Sequence, residues 1–313
     1  MARIRIVIVG FVALFAAACG PSGASTAPTA APATQAASQA AVATAEPTPD
    51  PCAAANLDTI TAGTLTVGAD NPAYPPFYIP DDTKPAGSMW DLGDPTNGKG
   101  LESATAYAIA QQLGFSPDQV TWVVAPFNKV IQPGPKSFDI YLTQVSYNAD
   151  RAKVVDLSDG YFDLNQAVVA LAKDPISKVT TVAGLQPFKL GAQVGTTSYQ
   201  YIVDQIKPTK DPSVYDTNDA AIKALGAGQI DGVVADLPST FYMRDAQLTG
   251  GQIVGSLPTA PGQAIEHFSV LLNKGSSLTP CVNGAIAALK ASGTLDAIRT
   301  QWIDVAGAAP KLQ

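Results

Sequence analysis

FDIYLTQVSYNADRAKVVDLSDGY, residues 138–161, holds both the strand-turn-helix pattern and the chemistry of this chain. Residues 138–142 read as a short strand. A polar turn follows, carrying Thr143, Gln144, Ser146 and Asn148, then one helical turn with Arg151 and a second short strand. This set suits a small carboxylate: a guanidinium grips both oxygens with a planar fork, and nearby hydroxyls and backbone N–H groups complete the cage. A solvated surface Arg beside a polar loop is the alternative.

Upstream, Leu65-Thr66-Val67-Gly68 reads as a strand running into Asp70 and a Pro-rich turn, Tyr74-Pro75-Pro76-Phe77. Residues 80–100 form a long loop with Met89 and Trp90, either a lid or idle surface. Helical periodicity over 101–113 stops at Gly114, and 120–124 is a strand. Downstream, 162–172 is a long apolar extended run, after which the pattern restarts. Strands at 189–194, 214–215 and 230–235 alternate with helices at 196–205, 218–225 and 238–246. A second apolar run at 268–272 precedes two closing helices. Such alternation implies parallel sheets covered on both faces. Two series joined by two extended runs imply two lobes, with a ligand site in the cleft outside the strand C-termini.

The 313-residue chain has net charge −7 and pI about 4.6, with no basic patch, which argues against a nucleic-acid partner. Arg3 and Arg5 precede an apolar run over 6–15, too short for a comfortable membrane span, so it reads as a signal peptide. The run ends Ala16-Ala17-Ala18-Cys19-Gly20, similar to a bacterial lipobox with Cys19 as the lipidated residue. Ala16 stands where Leu is usual, and ordinary cleavage is the alternative. Beyond Cys19, an Ala/Ser/Thr/Pro stretch cannot bury enough apolar surface to order itself and reads as a tether. Of three cysteines, Cys52 and Cys281 remain once Cys19 is lipidated. In an oxidising compartment they are expected to pair, two free buried thiols being the alternative. Two distant Cys and the single His267 offer no metal-ligand spacing.

Several motifs occur in order. They are Leu65 to Gly68 with Tyr74 to Phe77; Gly100-Leu101-Glu102 opening a helix that ends Ala108-Ile109-Ala110; and Phe138-Asp139. Then follow Asp150-Arg151-Ala152-Lys153 with Val155-Asp156-Leu157-Ser158; Val194-Gly195-Thr196-Thr197-Ser198; Ile230 through Asp236; and Gly293-Thr294-Leu295 before Trp302. Together they resemble the extracellular solute-binding proteins of amino-acid ABC importers, family 3, lipoprotein type, over about residues 64–304.

The resemblance implies an α/β, periplasmic-binding-protein-like fold of type II: two Rossmann-like lobes joined by two crossover strands. Its divisions would be a signal peptide at 1–19, a disordered tether at 20–56, lobe 1 at 57–165 and 267–313, and lobe 2 at 166–266, hinged near 164–168 and 266–270. It implies that Arg151 pairs with a ligand α-carboxylate, assisted by the N–H and hydroxyl of Ser146 and by Thr197 and Ser198 at a helix N-terminus. Thr143 and Asp236 would meet the α-ammonium, Tyr74 would wall the pocket, and Phe127 would lie near the side-chain pocket. Asp70 would meet a polar or cationic ligand side chain or else cap its own turn; Glu102 would complement a helix dipole. The family's glycine-rich segment before Ser146 is replaced by Gln144-Val145. The implied activity is capture of an amino acid, polar or basic favoured, for a membrane ABC permease. The protein would be a monomer, lipid-anchored on the extracytoplasmic face, with no cofactor. A cleft enzyme (dehydratase or murein lyase) or a ligand sensor are the alternatives.

Overall fold

Strands and helices alternate along the chain and sort into two five-stranded sheets in the computed structural model, which describes residues 50–81, 83, 87–303 and 309–313. The signal peptide, Cys19 and the tether up to residue 49 lie outside the described residues. The first sheet takes β1 (Leu65–Ala69), β2 (Val120–Val124), β3 (Ile140–Tyr141) and β4 (Asp156–Leu164). The chain then crosses to the second sheet for β5 (Gln166–Leu171), β6 (Leu190–Gln193), β7 (Ser213–Tyr215), β8 (Gly232–Asp236) and β9 (Gly251–Ser256). It returns to the first for β10 (Glu266–Leu272). Strand orders are β2-β1-β3-β10-β4 and β7-β6-β8-β5-β9.

Both sheets are mixed, where wholly parallel ones were expected. β1 pairs in parallel with β2 and β3, and β6 with β7 and β8. β10 runs antiparallel to β3 and β4, and β5 antiparallel to β8 and β9. The cause is the crossover itself: a strand arriving from the other lobe enters at the cleft end, where the parallel strands finish. The apolar run at 162–172 is likewise not one strand; it breaks at Asn165, between β4 and β5. β9 was not legible at all, since Gly251 and Gly255 flank only Ile253 and Val254 as strong apolar residues.

Seven helices cover these sheets among the described residues: α1 (Leu101–Gln112), α2 (Phe127–Val130), α3 (Thr197–Tyr201), α4 (Asn218–Gly226), α5 (Leu237–Tyr242), α6 (Thr279–Ala291) and α7 (Thr294–Trp302). α1, α6 and α7 pack Leu101, Ile109, Ile286 and Leu295 into one face of the first sheet. The second sheet is buried on both faces, with Val168 and Val234 in one cluster and Val169 and Val233 in the other. Every residue of β1 and β5 is buried, Thr66 of β1 and Gln166 of β5 included, as for strands covered on both faces.

Three expected boundaries move. The tether does not extend to 56: Cys52 and Ala54 pack on the first core, with a 3₁₀ turn at Ala54–Asn56 and Cys52 bonded to Cys281 of α6 at a Cα–Cα distance of 5.3 Å. The chain end does not stay with lobe 1. Leu312 N–H donates to Ser256 O at 2.9 Å, Ser256 N–H to Pro310 O at 2.7 Å, and Gln313 N–H to Thr180 O at 3.1 Å. Leu312 is buried in the second lobe's core, tight against Gly255, where a Cβ would lie 2.8 Å from Leu312 Cγ. The hinge also shifts. Residues 166–168 and 266–270 belong to paired strands, leaving Asn165 and 257–265 as the links between sheets outside paired strands among the described residues.

None of the described residues of the long loop lines the cavity between the lobes. Trp90 is buried in the first core, Asp91 N–H donates to Asn71 Oδ1 at 2.7 Å, and Gly93 N–H to Ala73 O at 2.8 Å. Its described residues brace the turn that carries Tyr74.

Candidate ligand-binding site

Because both sheets point their parallel strands' C-terminal ends at the cleft, residues just past those ends converge there. One cavity between the lobes is lined by Arg151, Ser146, Thr143, Asp70, Tyr74 and Phe127 from the first lobe, and by Thr197, Ser198 and Asp236 from the second. These are the residues singled out in the sequence, and the structure brings them all together.

Arg151 sits on a 3₁₀ turn whose start is fixed by Asn148 Oδ1, which accepts the Asp150 and Arg151 N–H groups at 2.8 and 3.1 Å. Its guanidinium donates to Ser146 O and, across the cleft, to Gly195 O at 2.9 Å, and lies 5.5 Å from the centre of the Phe127 ring. Gly195 has φ +74, a left-handed turn between β6 and α3 that favours glycine. Arg151 is only 8% exposed, and among the described residues no carboxylate lies within ion-pair distance of it. Burial pulls its pKa down to about 10. A desolvated cation that feels Glu266 only from beyond ion-pair distance favours an incoming anion.

Beside it, Thr196 caps α3, its hydroxyl accepting the Tyr199 N–H at 3.1 Å. Thr197 and Ser198 are the first two helical residues, whose N–H groups have no acceptor within the helix. Their hydroxyls are engaged within the protein. Ser198 donates to Gln166 Oε1 at 2.6 Å and Thr197 to Glu266 Oε1 at 2.5 Å, with Gln166 Nε2 also donating to Glu266 at 3.0 Å. A hydrogen-bonded cluster thus joins the first residues of β5 and β10 to α3. The Ser146 N–H is likewise engaged, closing a turn on Gln144 O at 3.1 Å.

Asp236 ends β8 and caps α5, accepting the Ser239 N–H at 2.9 Å and its hydroxyl at 2.8 Å. No cation lies within ion-pair distance of it among the described residues. Burial, above all, raises its carboxyl to about 6. Thr143 ends the β3 segment, and its hydroxyl accepts the Asp70 N–H at 3.0 Å. Asp70 combines the two alternatives weighed for it: one oxygen caps the turn at Asn71 N–H, 2.8 Å away, and the residue still lines the cavity. Burial raises its pKa too. The Tyr74 ring meets Tyr242 of α5 at 6.3 Å between ring centres, and its hydroxyl is buried without a partner among the described residues.

Glu102 stands in the first turn of α1, as expected, but its carboxylate is engaged away from the helix. It is fully buried under the cleft floor, bonded to Gln144 and Tyr161, and burial raises it to about 7. Gln166, Gln193 and Asn218 also line the cavity and were not singled out. Each begins or ends an element at the cleft, so the strand-end rule applied to every polar terminus would have found them. Among the described residues there is no His/Cys/Asp/Glu cluster that could hold a metal ion.

The model of the bacterial extracellular solute-binding proteins, family 3, matches residues 65–305. ABC transporter arginine-binding protein 1 of Escherichia coli K12 is 30% identical over 172 residues, 53% of this chain and 67% of that protein. The L-cystine-binding protein TcyJ of Escherichia coli K12 is 26% identical over 247 residues, 77% of this chain and 82% of that one. Among solved structures, an ancestral arginine-binding protein bound to arginine is 28% identical, covering 77% of this chain and 98% of its own, with a TM-score of 0.59.

Proposed function

The chain belongs to the bacterial extracellular solute-binding proteins of family 3, and on that premise we propose that its cleft captures a cationic α-amino acid and presents it to an ABC permease in the membrane. The carrying observation is that a buried Arg151 and a half-buried Asp236, charges of opposite sign with no ion-pair partner among the described residues, face one cavity from opposite lobes. A zwitterion needs just such a pair of holes, one for each of its charges. Arg151 and the first N–H groups of α3 take the α-carboxylate. Asp236 and Thr143 take the α-ammonium.

The side chain follows from the remaining charge. The cavity's ionised groups are Asp70, Asp236 and Arg151. An amino-acid zwitterion leaves that total negative by one, and a cationic side chain beside Asp70 and the Tyr74 ring neutralises it. Arginine binding by two of the relatives named above supports this choice. Cys19, as the lipidated residue, would hold the protein at the extracytoplasmic face of the membrane, with the Pro-rich segment as its tether.

A thermal-shift screen against the common L-amino acids tests the proposal. Arginine or lysine is expected to stabilise the protein most, with micromolar affinity, about −8 kcal/mol. Arg151→Ala is expected to cost at least about 2 kcal/mol of that, some 30-fold, because it strands a desolvated carboxylate. Unaltered affinity in Arg151→Ala contradicts the assignment.

A further inference from the structure

The turn that meets the ligand carries a cost the sequence does not need to accept. Gln144 adopts φ +45, a left-handed conformation that glycine takes freely and other residues resist. What holds it there lies beneath. Its backbone N–H donates to Glu102 Oε1 at 2.6 Å, and its side-chain amide donates to Glu102 Oε2. The same Glu102 accepts the Tyr161 hydroxyl from β4. Glu102 is 0% exposed, and among the described residues it has no cationic partner within ion-pair distance. These carboxylate bonds leave its own helix for Gln144 and Tyr161. A buried carboxylate this placed is retained through its donors rather than through a counter-charge.

The turn so held is mechanically central. Thr143 at its start accepts the Asp70 N–H, and Ser146 at its end supplies the carbonyl that accepts from Arg151. If Gln144 relaxed to an unstrained φ, both ends would rotate, and the guanidinium would lose its orienting acceptor. We propose that Glu102 is a positioning residue: a two-pronged clamp on Gln144 that preforms the ligand-facing turn at 143–146 before any ligand arrives. The proposal rests on reading that turn as part of the ligand site, but the clamp itself can be observed without ligand.

Amide hydrogen exchange over 143–147 in the ligand-free protein is the first arm. In Glu102→Gln one prong meets an amide donor instead of an acceptor, and exchange is expected to quicken at least tenfold. The second arm is the affinity for L-arginine by calorimetry. Glu102→Gln is expected to weaken it at least tenfold in the native background but less than threefold in a Gln144→Gly background, where the strained conformation needs no clamp. Unchanged exchange, or equal losses in both backgrounds, overturns the proposal. Should Glu102→Gln fail to fold, Gln144→Ala removes one prong alone and must also quicken exchange; if it does not, the clamp is refuted. Wild-type protein that ignores L-arginine would refute the cationic ligand, while the exchange arm still decides the clamp.

Discussion

Arg151 and Asp236 are kept apart from any ionic partner among the described residues, and each pKa moves in the direction that burial dictates: Arg151 down to about 10, Asp236 up to about 6. The sign of a pH effect follows. Asp236 in the ligand-free fold binds its proton more tightly than an unfolded Asp at 3.8. Its contribution to stability is therefore present at low pH and is lost as pH rises from about 4 to 6. Ligand binding works the opposite way, since an α-ammonium requires the ionised carboxylate. The dissociation constant is expected to be about tenfold weaker at pH 5 than at pH 7.5, with a bend near 6, as measured by calorimetry. A flat profile would remove Asp236 from the ammonium site. The residues of the site were legible because carboxylate chemistry restricts their types and strand ends restrict their places. Glu266 was not, because its role depends on two crossovers meeting, which sequence order does not display.

At the level of elements, apolar runs and turn residues located β1, β2, β6, α1 and α4 within a residue or two. Reading failed where tertiary pairing supplies what local pattern lacks. β9 is held by β5 on one side and by the chain end at Ser256 on the other, and needs little apolar character of its own. The tail's docking was invisible for the same reason, its one strong anchor being Leu312. The disulfide was legible from cysteine arithmetic, and it joins the start of the described residues to α6 across 229 residues. Both ends lie in the first lobe, away from the cavity-lining residues. Cys52→Ser is thus expected to lower the melting temperature by about 5–10 °C with no change in ligand affinity. An equal melting temperature with and without reductant in the native protein would contradict this.

Taken as one molecule, the two lobes already touch across the cleft. Arg151 reaches Gly195 O, Asn148 Nδ2 donates to Gln200 Oε1 at 2.7 Å, and Tyr74 packs near Tyr242. Among the described residues, Asn165 and residues 257–265 link the sheets outside paired strands, and opening would draw on them. On the proposed function, closure would be driven by what the cavity gains: a charge from each lobe, Arg151 and Asp236, neutralised by the two ends of one ligand. The most direct test is calorimetric titration with the amino acid that stabilises the protein most, beside its decarboxylated amine. That amine keeps the side chain and the ammonium but offers nothing to Arg151. Binding weakened at least 30-fold for the amine, about 2 kcal/mol, is the expected result; equal affinity for the two compounds would contradict the account.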